Sequence, residues 1–319
     1  MRVYHLVTKN LMKGMVTAMN ARKIAAVGII SAVLLIGGCS ADVGSNSPLS
    51  ETNSVSEVVN NRYSEDISGS IAMEADIVYA NKKDHEQNDT DLKLDLYQPA
   101  DDTAENRPVI IWLHGGGMYT GSKNESWEPV CSLAYDYAKK GYVCISIDYR
   151  LDPDWEQTGA FNEAMKNAAE DVASAVDWVR ENSEKYRMDS GRIILAGYSS
   201  GAEIVDNYYF SNFLTDEKTF DKSGIKAVIS ISGNRLFYDN SACSGDSDVK
   251  CLILHGEADD INPLSDAQTF LTQLGDRGEM KTLPGNGHFW LETEEQKSFL
   301  LDSITGFLLD EVINGKQVQ

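Results

Sequence analysis

The run Arg192-Ile193-Ile194-Leu195-Ala196-Gly197-Tyr198-Ser199-Ser200-Gly201-Ala202-Glu203 decides how the chain is read. It starts as a β-rich apolar run, passes through Gly-Tyr-Ser-Ser-Gly, and continues into residues that can be helical. A serine set between two glycines at this spacing suits a strained strand-to-helix turn, with the hydroxyl exposed at the end of a sheet. Gly197 and Gly201 leave room for the bend and for close helix packing. The pentapeptide alone also fits an ordinary turn, so the flanking sequence has to decide.

Working outward, apolar runs alternate with helical patterns. Ile71–Ala80 and Asp91–Gln98, the second with Leu92, Leu94 and Leu96 alternating with polar residues, predict two antiparallel strands joined by a polar loop at 81–90. Pro108–His114 and Tyr142–Asp148 are continuous apolar runs, as expected of strands buried on both faces. Between them Ser126–Lys140 predicts a helix stopped at Gly141. Phe161–Glu181 carries a helical stripe of Ala168, Val172, Ala175, Val176 and Val179, widened by Trp178. After the serine turn come strands at Ile225–Ile231, Cys251–Leu254 and Met280–Leu283, and helices at Leu264–Leu274 and Glu292–Leu309. Strands alternating with helices predict a parallel sheet covered on both faces. There is no internal repeat.

Three loops carry chemistry. His114-Gly115-Gly116-Gly117 follows a buried strand, and successive glycines let backbone N–H groups turn toward a developing oxyanion. No Gly-Lys-Ser/Thr follows, which disfavours a phosphate cradle. His255-Gly256-Glu257-Ala258-Asp259-Asp260-Ile261-Asn262-Pro263 follows another buried strand. An acid there can hold a histidine in one tautomer. Asp259 fits best, with Asp260 one residue off in register; a carboxylate in this loop can also cap the helix near Leu264, a task open to Asp260 or Ser265. Gly285-Asn286-Gly287-His288-Phe289-Trp290 is a loop with a histidine. Of the five histidines, His5, His85, His114 and His255 are placed elsewhere, and His288 alone follows both the serine and the acid on a loop free to reach them.

The order Ser…Asp…His together with His-Gly-Gly-Gly resembles the α/β-hydrolase superfamily, in particular its branch of hormone-sensitive-lipase-like carboxylesterases, feruloyl or acetyl esterases and arylformamidases. The resemblance spans about residues 71–311. It implies an α/β-hydrolase fold: a mostly parallel central sheet of about eight strands, flanked by helices on both faces, with a minimal cap. Carried over residue by residue, it implies Ser199 as nucleophile, His288 as base and Asp259 as orienting acid. The N–H groups of Gly116, Gly117 and Ser200 would bind the oxyanion, with Gly115 as the alternative if the register is one off. Asp148-Tyr149-Arg150-Leu151 matches a segment of the family and reads as structural. The serine motif departs from the Asp-Ser-Ala-Gly-Gly of hormone-sensitive-lipase-like enzymes, which shifts weight toward feruloyl esterases and arylformamidases. The implied activity is serine carboxylic-ester hydrolysis of small acyl or aromatic acyl esters, such as acetyl or feruloyl groups on plant polysaccharides. The alternatives are an amidase, arylformamidase or serine peptidase with the same triad, and a non-catalytic carbohydrate-binding lipoprotein. Neither metal nor cofactor is expected. Tyr119, Trp155, Phe161, Tyr198, Phe289 and Trp290 are candidates for stacking on an aromatic acyl group or, equally, for the core. Segments 152–162 and 233–249 are the candidates for pocket walls.

Composition bounds the rest. A net charge of −21 over 319 residues disfavours nucleic acid and anionic lipid as partners of the folded body. Residues 1–38 hold five basic residues and no acid, with an apolar run Ile24–Gly38 that is short for a membrane span and suits a secretory signal. Leu35-Ile36-Gly37-Gly38-Cys39 resembles the bacterial lipoprotein processing box, which implies cleavage before Cys39, a lipid on its thiol and a membrane-anchored, exported protein. Met15 and Met19 are alternative starts. Residues 39–69, rich in Ser, Asn, Glu and Asp, predict a flexible tether, with the catalytic domain from residue 70. Cys144 and Cys251 fall in predicted buried strands, and a Cys243–Cys251 bridge is open in an oxidising envelope.

Overall fold

The computed structural model describes residues 62–126, 128–211, 220–234, 243–290 and 292–315. The signal segment, the acylation candidate Cys39 and the tether up to residue 61 lie outside these, as do 235–242 of the second candidate pocket wall.

Eight strands form one sheet: β1 (Ile71–Lys83), β2 (Asp89–Pro99), β3 (Arg107–Leu113), β4 (Val143–Ile147), β5 (Met188–Tyr198), β6 (Ile225–Ile231), β7 (Lys250–Gly256) and β8 (Gly278–Leu283). Their order across the sheet is β1-β2-β4-β3-β5-β6-β7-β8. The β1/β2 and β2/β4 pairings are antiparallel, and every pairing from β4 to β8 is parallel. The helices are α1 (Pro129–Lys139), a single turn α2 (Trp155–Thr158), α3 (Phe161–Glu181), α4 (Ser200–Phe210), α5 (Leu264–Leu274) and α6 (Glu294–Leu308).

Alternation along the strands sends side chains into two cores. Val109, Ile111 and Leu113 of β3 pack with α3, α4 and α5, whereas Ile110 and Trp112 pack with α1 and α6. The stripe read on α3 is the buried face: Ala168, Val172, Val176 and Val179 are fully enclosed, and each valine contributes roughly 1.5–3 kcal/mol by leaving water. The sheet is covered on both sides, as expected.

Several boundaries move for local reasons. The β1–β2 connection shrinks to Asp84–Asn88 because Asp84 Oδ1 accepts from the N–H groups of Glu86 and Asn88, folding the loop into an Asx turn. Helix α1 starts at Pro129, whose fixed φ and missing N–H suit the first helical position. Gly141, at φ +102°, ends it. Helix α6 begins with a capping box between Thr293 and Gln296.

The tether was expected to run to residue 69, but its last residues are bound to the domain. Tyr63 N–H donates to Lys140 O (2.9 Å) and Ile67 N–H to Lys139 O (2.9 Å). Arg62 pairs with Asp102. The carbonyls left open at the C-terminal end of α1 supply these partners, so polar composition did not keep this stretch free. Cys251 is a buried free thiol, so there is no Cys243–Cys251 bridge.

Candidate active site

The parallel strands β3, β5 and β7 end on the same edge of the sheet, and the three loops singled out in the sequence leave from that edge or beside it. Ser199 follows β5 directly and precedes α4. Its backbone sits at φ +53°, ψ −124°, a conformation that costs a non-glycine residue about 1–3 kcal/mol and is held by its surroundings. Ser199 N–H donates to Ile231 O (2.8 Å). A Cβ on Gly197 would lie 2.3 Å from the Gly201 carbonyl, and one on Gly201 would lie 2.4 Å from Leu113 O and 2.5 Å from His114 O. The two glycines therefore let the strand, the helix and the preceding loop close onto the serine.

His288 lies between the serine and the acid. Its Nδ1 is 2.8 Å from Asp259 Oδ2 and its Nε2 is 2.9 Å from Ser199 Oγ. An ionised carboxylate only accepts, so Nδ1 carries the proton, and Nε2 is left to accept from the serine hydroxyl. Asp259 Oδ1 accepts from the N–H groups of Ile261 (2.9 Å) and Asn262 (2.8 Å). Burial works against the charge on Asp259, but the bonds from His288 and Asn262 outweigh it and hold the carboxyl below its ordinary range. Asp260 is exposed and plays no part in this set, and neither it nor Ser265 caps α5, whose first turn is entered through Pro263.

The glycine turn lies beside the serine: a Cβ on Gly115 would come within 3.1 Å of Ser199 Cβ. Its donors are not equivalent. Gly115 N–H is bound to Glu128 Oε2 (2.7 Å), which removes the one-off register alternative. Gly117 N–H, expected to face an oxyanion, donates instead to Ser200 Oγ (2.9 Å). The N–H groups of Gly116 and Ser200 have no partner among the described residues and remain as the open pair.

Tyr149 explains the Asp148–Leu151 segment. Its hydroxyl donates to His114 O (3.0 Å) and Gly115 O (3.2 Å), and its ring stacks on His114 with centroids 4.3 Å apart. His114 Nδ1–H donates to Gly115 O (2.7 Å), and burial lowers the ring's pKa to about 4, so it stays neutral. Beyond it, Lys123 is buried against Asp95 (3.1 Å) and donates its N–H to Asp148 Oδ1, fixing the loop after the glycine turn.

The aromatic candidates divide. Trp290 is core rather than pocket: it is 1% exposed, donates Nε1–H to Ser232 Oγ (2.7 Å) and stacks on Phe299. Tyr198 is also 1% exposed, and its hydroxyl donates to His288 O (3.0 Å), so it holds the histidine loop from below. Both neighbour site residues in sequence, but their side chains leave the backbone on the core side. Trp155 is nearly buried against Phe161 and donates Nε1–H to Gly117 O (2.8 Å), bracing the glycine turn. Tyr119 and Phe289 are half-buried; Tyr119 lies against Gly117, and the edge of Phe289 meets the His288 ring.

Three residues of this region were not singled out by sequence. Glu128 is buried and pushed up to about 8 by burial. Asn262 joins four groups: besides Asp259, its Nδ2 donates to Ser232 O (2.7 Å) and Glu203 Oε1 (3.2 Å), and its carbonyl accepts from His255 Nε2 (2.8 Å). Ser232, at φ +52°, in turn touches both Asn262 and the histidine loop. The only sequence signal was the Asn-Pro pair closing the acid loop.

The structure superposes on an esterase of Thermogutta terrifontis, Est2, with a TM-score of 0.57 over 74% of this chain and 91% of that one, at 22% identity. That overlay joins the sheet order and the three converging loops to a known architecture. The chain has the α/β-hydrolase fold. A family model described as BD-FAE matches residues 94–244 of this chain. The para-nitrobenzyl esterase of Bacillus subtilis is 31% identical over 118 residues, covering 36% of this chain and 23% of that protein. Phenmedipham hydrolase of Pseudarthrobacter oxydans is 38% identical over 113 residues, covering 35% and 21%. The chain thus spans less than a third of the length of these relatives.

Proposed function

We propose that this chain is a serine carboxylic-ester hydrolase acting on small acyl or aromatic acyl esters. The observation that carries the reading is the continuous relay from Ser199 Oγ through His288 to Asp259, at 2.9 and 2.8 Å. Ser199 Oγ attacks the ester carbonyl carbon as its proton passes to His288 Nε2. Asp259 stabilises the imidazolium that results. The carbonyl oxygen takes the negative charge and lies against the open N–H groups of Gly116 and Ser200. The C–O bond to the alcohol breaks, and His288 returns the proton to the leaving oxygen. Water then repeats the sequence on the acyl-serine and releases the acid.

The names of the relatives support this chemistry, as does Est2, which is known in a form phosphorylated by paraoxon. Paraoxon is accordingly expected to place one diethylphosphoryl group on Ser199 and to abolish turnover. Peptide mass mapping of the treated protein checks this, and an unmodified Ser199 in an ester-hydrolysing protein would overturn the mechanism. A panel of p-nitrophenyl acetate, p-nitrophenyl butyrate, methyl ferulate and N-formyl anilide separates esterase from arylformamidase. Ester turnover above anilide turnover is expected.

The same proposal places the catalytic domain outside the cytoplasm, on a lipid carried by Cys39 and read from residues 22–39. Metabolic labelling with a clickable palmitate is expected to mark the protein and to be lost in Cys39→Ala. Labelling that survives the substitution counts against the anchor.

A further inference from the structure

Helix α4, which the nucleophile opens, is enclosed along its length with one exception. Every residue from Ser200 to Phe210 is buried except Glu203. Glu203 stands four residues after Ser199, donates its N–H to Ser199 O (3.0 Å), and so shares the face of the helix on which the nucleophile sits. Side chains on a helix lean toward its N-terminus, which aims this one back at the serine. One carboxyl oxygen, Oε1, is held by Asn262 Nδ2, the same residue whose N–H binds Asp259. The other has no partner among the described residues. The window of α4 onto solvent is therefore a carboxyl group beside the nucleophile.

We propose that Glu203 sets the charge selectivity of this site, taking esters that carry a hydroxyl or cationic group near the scissile carbonyl and rejecting those that carry a carboxylate there. The proposal rests on the esterase reading above and adds the substrate class. The charged neighbours that act on Glu203 are themselves acids: Asp206 one turn along α4 and Asp259 from the loop after β7, with Tyr149 approaching from the loop after β4. No cation among the described residues acts on Glu203 itself, so an anion entering here meets like charge. Although the residue keeps some solvent access, its carboxyl is packed closely enough that burial, helped by Asp206 and Asp259, pushes it up to about 8. The neutral acid below that pH can donate to or accept from a substrate hydroxyl. The carboxylate above it repels an anion and attracts a cation.

The test compares kcat/KM for p-nitrophenyl butyrate and mono-p-nitrophenyl succinate, which differ mainly in a terminal carboxylate, using the full chain at pH 6.5 and pH 9. The succinate-to-butyrate ratio is expected to fall by about tenfold with rising pH, the size set by one charge pair a few ångströms apart at the rim of a protein. A p-nitrophenyl ester bearing a trimethylammonium group on its acyl chain moves the other way. Glu128 also titrates near 8, so variants assign the effect. Glu203→Gln flattens both ratios and Glu128→Gln leaves them. Where glutamine is not tolerated, Glu203→Asp, which withdraws the carboxyl by one methylene, weakens the swing. A flat ratio in the native protein, or a swing that survives both Glu203 variants, overturns the proposal. Absence of Ser199-dependent hydrolysis of all three esters fells the esterase reading itself.

Discussion

Ser199→Ala is expected to lower kcat toward p-nitrophenyl butyrate by ~10⁴-fold or more while leaving KM within a few-fold. The substitution removes one oxygen at a position that is 6% exposed, and alanine meets the same strain at φ +53°, so the fold is kept. What disappears is the hydroxyl that lies 2.9 Å from His288 Nε2. Asp259→Asn attacks the same relay from the other end. Its amide can donate to Nδ1, which moves the ring proton to Nε2 and leaves Ser199 with no base; a loss of similar order follows. Because the three groups act as a unit, the double variant is expected to be little worse than either single one. Stopped-flow and steady-state rates on the purified variants check this. Ser199→Ala retaining a tenth of native kcat would refute the assignment.

Arg150→Ala is expected to destabilise the domain by about 3–5 kcal/mol, although it lies outside the relay. Arg150 closes a buried ion pair with Asp171 of α3: Nε lies 2.9 Å from Oδ1, and the Arg150 N–H is 2.7 Å from Oδ2. Asp171 is fully enclosed. Burial pushes its carboxyl up to about 6 in spite of the guanidinium, while Arg150 itself, desolvated as well, is held above its ordinary value by Asp171. The two shifts pull in opposite directions, and the enclosure of Asp171 decides that the carboxylate is the costly partner. A carboxyl whose folded pKa lies above its unfolded one loses stability as pH rises between them, here from about 4 to about 6, and without Arg150 that upper limit moves higher. The loss in Arg150→Ala is therefore expected to be larger at pH 8 than at pH 5. Urea unfolding at both values measures it. An equal loss at the two pH values would mean that the pair stabilises through packing and not charge.

The relay was legible in the sequence because each member sits on a short loop that follows a strand of the parallel part of the sheet. Parallel strands deliver such loops to one edge whatever the order of strands between them. Asp259 over Asp260 was a matter of one residue of register, and the two N–H bonds from Ile261 and Asn262 show why: they turn the Asp259 carboxyl inward and leave Asp260 in solvent. The sheet order, with β4 between β2 and β3, carries no local signature. The supports of the site were hidden for a related reason. Glu128, Tyr149 and Asn262 act on residues 13, 35 and 59 positions away, at Gly115, His114 and Glu203. Spacing of that kind cannot be read without the fold. The aromatic residues misled because proximity in sequence to Ser199 and His288 says nothing about which side of the backbone a ring leaves. Tyr198 and Trp290 leave it inward.

Tyr198 and Ser232 grip His288 by its main-chain oxygen, at 3.0 and 3.4 Å, and Trp290 is locked to Ser232. No part of that grip uses the side chain of residue 289, which rests edge-on against the imidazole and stays half open. A substitution at position 289 is thus expected to change what meets the imidazole edge while the main-chain grip behind it keeps its alignment.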